Sequence, residues 1–102
     1  MRITTVQQTA ICELFTLYFG ENDHIWLFGS RVDDSKKGGD IDLYIETYYD
    51  DPILISQKKI TFLVELKRRI GDQKIDIIVN QINSNNQRTI YTEARTTGVK
   101  LK

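Results

Sequence analysis

The sequence predicts an α/β fold of the α+β kind, a small mixed three-stranded sheet with helices packed on one face, and three observations predict it. Residues 40–47 and 74–80 alternate apolar and polar side chains, and 24–28 is an unbroken aromatic and β-branched run, which together make three strands. Residues 5–18 and 52–70 carry apolar side chains at helical spacing, the first followed by Gly20 and the second opened by Asp51-Pro52. With 102 residues, 40% of them hydrophobic and 27% charged, one domain spanning 1–102 with one core is expected.

The first helix is expected from about Thr5 to Tyr18, where Val6, Ala10, Leu14, Leu17 and Tyr18 recur on one side and Gly20 follows as a C-cap candidate. His24 to Phe28 reads as a buried strand that delivers Gly29-Ser30 to its end. The polar stretch from Arg31 to Gly39 closes in two glycines and predicts a helical turn or loop. In the second strand Ile41, Leu43 and Ile45 point one way and Asp40, Asp42, Tyr44 and Glu46 the other, giving a core face and an acidic face. Asp51-Pro52 supplies an N-cap with proline at the first helical position, and Ile55, Phe62, Leu63, Leu66 and Ile70 form the stripe of the longest helix, which ends near Gly71. The third strand, Lys74 to Asn80, sets Ile75, Ile77 and Val79 against Lys74, Asp76, Ile78 and Asn80. A last helix is expected from about Gln87 to Gly98, carrying Ile90, Tyr91 and Ala94, with Val99 and Leu101 beyond it. The long helix between strands two and three is a crossover that makes them parallel, while the short link between strands one and two favours an antiparallel pair.

Charge and cysteine content narrow the function classes. Fourteen basic residues balance fourteen acidic ones, so the broad positive field needed to hold extended nucleic acid is missing. Cys12, the single cysteine, has no intramolecular disulfide partner and suits a small core residue in a reducing cytosol. No run of eighteen apolar residues and no signal layout occurs, so a cytoplasmic protein without a membrane span is expected.

Three aspartates on strands are the anomaly, because aspartate is depleted in strands and an ionised carboxylate is costly to bury unpaired. Asp40 and Asp42 project from one face within about 7 Å of each other, and Asp76 joins them if strand three pairs beside strand two. On pattern alone the Asp40-Asp42 pair suits a solvated strand face equally well. Clustered carboxylates with no histidine or thiolate nearby prefer Mg²⁺ together with substrate phosphates. Gly29-Ser30 supplies the complement, since glycine lets backbone approach a ligand and the following amides and serine hydroxyl can donate to phosphate oxygens. Two ions on such carboxylates can serve an in-line displacement at phosphorus, which points to nucleotidyl transfer.

Phe28-Gly29-Ser30-Arg31, then Gly39-Asp40-Ile41-Asp42-Leu43, then Ile75-Asp76-Ile77 resembles the DNA polymerase beta-like nucleotidyltransferase superfamily, and within it the minimal single-domain branch. The resemblance implies that Asp40, Asp42 and Asp76 are the catalytic and metal-ligating residues, with Asp76 helping to deprotonate the acceptor. It further implies that Gly29, Ser30 and Arg31 bind the nucleotide phosphates, with two Mg²⁺ ions as cofactors and ATP or another NTP as substrate. Family members of this kind are often encoded beside a HEPN-domain protein, and some act as antitoxins that adenylylate that partner, so a protein acceptor is the expectation. An antitoxin that neutralises its partner by stoichiometric contact is the alternative. Two positions depart from the family pattern: Val32 stands where many members have alanine, and Gly39 where a serine commonly precedes the first aspartate.

Other polar and aromatic residues have plainer readings. His24 has no metal-spaced companion, Lys36 and Lys37 suit solvated loop charges, and Lys67-Arg68-Arg69 suits the end of a helix dipole. Trp26 and Phe28 read as core, Tyr44, Tyr48 and Tyr49 as candidates for the cleft or its rim, and Glu46 as lying too far along its strand to join the metals.

Overall fold

The computed structural model describes residues 1–33, 35, 39–84 and 88–102. Asp34, Lys36, Lys37 and Gly38 of the expected loop, and Gln87 at the expected start of the last helix, lie outside the described residues. The remaining chain forms α1 (Thr5–Tyr18), β1 (His24–Phe28), a 3₁₀ turn (Gly29–Val32), β2 (Ile41–Thr47), α2 (Pro52–Ile70), β3 (Ile75–Gln81), α3 (Thr89–Thr97) and β4 (Val99–Lys100).

Local chemistry sets these boundaries. Thr4 and Gln7 form a capping box at the start of α1, each side chain accepting from the other's backbone N–H. The Asp51 carboxylate caps α2 by accepting from the amides of Ile53 and Leu54, and Pro52 fills the first helical position, where no amide is needed. α1 ends at Tyr18 with Phe19 rather than Gly20 as its C-cap. The turn into β1 is fastened by Asp23, whose buried carboxylate, 4% exposed, accepts from the Gly20 amide, the Thr47 hydroxyl and the Tyr48 amide.

The sheet is mixed and has four strands in the order β3-β2-β1-β4, which corrects the three-stranded expectation. β1 and β2 are antiparallel and β2 and β3 parallel, with Asp42 opposite Phe28 on one side and Asp76 on the other. The extra strand is Val99–Lys100, which pairs antiparallel with Trp26 and Leu27. Two residues cannot display an alternating pattern, so nothing in the composition of the tail marks them as a strand.

Helices lie on both faces of the sheet rather than one, a second correction. α1 and α2 cover the face of Ile25, Leu27, Ile41, Leu43, Ile45, Ile75 and Ile77, where Phe15, Phe19 and Phe62 pack ring against ring at 5.0–6.4 Å. α3 covers part of the opposite face, setting Tyr91 and Ala94 against Trp26 and Tyr44. The physical reason is the composition of that face. It carries Trp26, Phe28, Tyr44 and Ile78 beside the acids, and this apolar area needs a cover of its own. No described helix is long and apolar enough to cross a membrane.

Candidate metal centre

Parallel pairing of β2 with β3 in the register Asp42 to Asp76 brings Asp40, Asp42 and Asp76 together, so that one carboxylate oxygen from each lies within 4.8 Å of the others. Asp42 is on the central of these strands, half-buried, and Asp76 is exposed on β3. Burial pushes the Asp42 carboxyl above the ordinary carboxylate range, the neighbouring charges of Asp76 and Asp40 push it further, and Lys74 opposes them. Lys74 also pairs with Asp40 at 3.4 Å.

The trio contrasts with the acids that this fold uses for structure. Asp23 has three donors. Glu46, also buried, accepts from the Tyr44 hydroxyl at 2.7 Å and pairs with Arg95 at 3.2 Å. Among the described residues no hydrogen bond is donated to the carboxylates of Asp40, Asp42 or Asp76, and Lys74 is the cation within reach of them. Three oxygen donors without nitrogen or sulfur, gathered despite their mutual repulsion, fit a hard divalent cation such as Mg²⁺.

The glycines explain how the neighbouring turn comes so close. Gly29 has φ +75°, and a Cβ there would collide with the Asp42 carboxylate. Gly39 has φ +90°, and a Cβ there would collide with the Ser30 hydroxyl. Any side chain at position 39 would therefore require a different path into β2. Gly29 thus abuts the Asp42 carboxylate from the β1 side, and Ser30 packs on Gly39, the residue that precedes Asp40.

Two clefts meet at this point. One, of about 590 Å³, lies along Asp42, Asp76, Lys59, Leu63 and Ile78. The other, of about 410 Å³, lies between Gly29-Ser30 and the α3 side chains Glu93 and Thr97. Phe28 and Ile90 line both. Both concavities combine apolar side chains with a few polar groups, the mixture that small-molecule sites also have.

Arg31 does not enter either cleft lining. Its Nε donates to the Gly39 carbonyl at 3.2 Å and a terminal nitrogen to the Arg2 carbonyl at 3.0 Å. Tyr44 is fully buried under α3, where burial pushes its phenol up to about 12, while Tyr48 is exposed and Tyr49 lies under Lys58 at 4.6 Å. None of the three tyrosines lines the carboxylate cleft. Lys59, which does line it, falls within the helical stripe of Ile55, Phe62, Leu63 and Leu66, and a lysine at that apolar position is the sequence signal that marks it. The Cys12 thiol donates to the Leu101 carbonyl at 3.5 Å and burial raises its pKa, which keeps it in the thiol form. No family model, no curated protein and no solved structure matches this chain.

Proposed function

We propose that this chain is a Mg²⁺-dependent nucleotidyltransferase that moves a nucleoside monophosphate, AMP from ATP in the first instance, onto a hydroxyl of a protein partner. The reading rests on one observation above the others: three carboxylates with an oxygen each within 4.8 Å of one another, which accept no hydrogen bond among the described residues and have Lys74 on Asp40 as their ion pair, with Gly29 set against Asp42 at positive φ. The resemblance to minimal polymerase beta-like nucleotidyltransferases supplies the reaction class and implies a HEPN-domain protein as the acceptor.

In this reading Asp40, Asp42 and Asp76 hold the metal, which supplies charge neutralisation at the triphosphate and at the attacking oxygen. The Gly29 and Ser30 amides and the Ser30 hydroxyl donate to phosphate oxygens and orient the α-phosphorus. Asp76, the exposed member of the trio, accepts the acceptor's hydroxyl proton. The acceptor oxygen forms a bond to the α-phosphorus, the bond from that phosphorus to the bridging oxygen breaks, and pyrophosphate leaves. The test is label transfer to protein in a lysate from α-³²P-ATP and, in parallel, γ-³²P-ATP. Label only from the α-position, lost in Asp42→Asn, is the expected result; label from γ-³²P-ATP, or transfer that survives Asp42→Asn, would contradict it.

A second reading, neutralisation of a partner by contact without catalysis, is favoured by the outer face of α2. There Ile53, Ile60 and Val64 fall on one helical stripe and are 71%, 62% and 45% exposed. The two readings part on the Asp40→Asn/Asp42→Asn double variant. It neutralises the partner if contact suffices and binds without neutralising if transfer is required.

A further inference from the structure

A four-residue 3₁₀ turn has too few internal hydrogen bonds to fix its own geometry, and its last carbonyls are left to find donors elsewhere. For Gly29–Val32 the Asp33 amide serves the Ser30 carbonyl at 3.2 Å, and the further donors come from Arg2, ahead of α1. The Arg2 amide donates to the Arg31 carbonyl at 2.6 Å, one terminal nitrogen of its guanidinium to the Ser30 carbonyl at 2.8 Å, and its Nε to the Asp33 carbonyl at 2.9 Å. Arg31 reciprocates by donating to the Arg2 carbonyl at 3.0 Å, and its Nε holds the Gly39 carbonyl at 3.2 Å. Gly39 is the residue packed against the Ser30 hydroxyl and the one that leads directly into Asp40. Two arginines therefore tie the turn, the segment ahead of α1 and the approach to the first carboxylate into one unit, and neither lines either of the two clefts at the carboxylates.

We propose that Arg2 is a positioning residue for the phosphate-holding turn: its fork grips the carbonyl side of Gly29–Val32, so that the opposite, amide side is held in register with Asp42. This rests on the function proposed above. A planar fork with donors fixed relative to one another can bind two carbonyls at once, whereas a lysine at the same place offers one mobile ammonium. Since Arg2 acts on the binding half of the site and leaves the three carboxylates untouched, its loss weakens nucleotide binding more than it slows chemistry.

The experiment compares wild type, Arg2→Ala and Arg2→Lys, with Arg69→Ala as a control that removes a different arginine contact, its pair with Glu13. Amide hydrogen exchange of residues 29–33 is measured without ligand, and KM and kcat for Mg-ATP are measured by α-³²P label transfer. Arg2→Ala is expected to speed exchange in that turn and raise KM about tenfold with kcat within twofold. Arg2→Lys should lie between it and wild type, and Arg69→Ala should match wild type in both readouts. Unchanged exchange in Arg2→Ala, a fall in kcat at constant KM, or full recovery with lysine would overturn the proposal. A wild-type protein that binds no Mg-ATP, in the presence of a turn loosened by Arg2→Ala, would instead overturn the function reading and with it the role of the turn.

Discussion

Alanine at position 29 separates what the turn needs from what the carboxylates need. At φ +75° any Cβ carries a backbone cost of about 1–2 kcal/mol. At this position it also falls onto the Asp42 carboxylate, with the Asp42 Cγ only 3.2 Å away. That carboxylate is the free end of a side chain and can swing aside, so the second penalty falls on the site more than on the fold. Gly71→Ala is the matched control, because φ there is +98° and a Cβ meets nothing within 4 Å, leaving only a backbone cost of roughly 1–3 kcal/mol. Both variants are expected to melt lower, by roughly 5–15 °C for a chain of this size, in circular dichroism scans with EDTA. Only Gly29→Ala should weaken Mn²⁺ binding, about tenfold or more, in an electron paramagnetic resonance titration, as one of three carboxylates is displaced. Wild-type Mn²⁺ affinity in Gly29→Ala, or an equal loss in Gly71→Ala, would refute the coupling of turn and carboxylate.

Three further outcomes follow from the same geometry. Because burial first, then Asp76 and Asp40, raise the Asp42 pKa, the native state holds its proton more tightly than the unfolded chain does. The stability this contributes is complete below the ordinary aspartate value of about 3.9 and is lost as pH rises through the raised native value. Asp42→Asn should therefore raise Tm in EDTA at pH 7 and flatten the fall of Tm across that interval, while abolishing stabilisation by Mg²⁺; an unchanged pH profile would count against the crowding of these charges. Lys74→Ala removes an exposed ion pair, the lysine being 75% exposed, and should shift Tm little while tightening Mn²⁺ binding by roughly two- to fivefold, read by the same titration. Tyr44→Phe removes the hydroxyl that donates to Glu46 and accepts from Asn80 at 3.0 Å, leaving a second buried polar atom of Asn80 without a partner beside its Oδ1. It should cost about 1–3 kcal/mol in urea unfolding and leave Mn²⁺ affinity unchanged.

The elements that the sequence makes legible are those with a period or a cap. The helical spacing of Val6, Ala10, Leu14, Leu17 and Tyr18, the Asp51-Pro52 start and the alternation through Asp40 to Thr47 mark α1, α2 and β2 within a residue or two of their observed ends. The parallel direction of β2 and β3 follows from the crossover helix, whereas the register that sets Asp42 beside Asp76 is not written in local pattern. Harder to read is whatever depends on a distant partner. β4 exists because two residues meet the open edge of β1, and α3 crosses to the acidic face because Trp26, Tyr44 and Ile78 make part of that face apolar. Glu46 continues the alternation of Asp40 and Asp42, yet it is spent on Tyr44 and Arg95, a residue from a helix that local pattern does not place. Arg31 sits inside the motif that suggests phosphate binding, but the two donors described above serve carbonyls, one of them contributed by Arg2 from 29 positions away.

The most direct test of the central claim, that the carboxylates and the Gly29-Ser30 turn form one metal-triphosphate site, is an isothermal titration of Mn²⁺ with and without the non-transferable analogue α,β-methylene-ATP. Wild type should bind the metal and the analogue cooperatively, and Asp42→Asn should lose that cooperativity. Analogue binding indifferent to Mn²⁺, or cooperativity that persists in Asp42→Asn, would contradict the account.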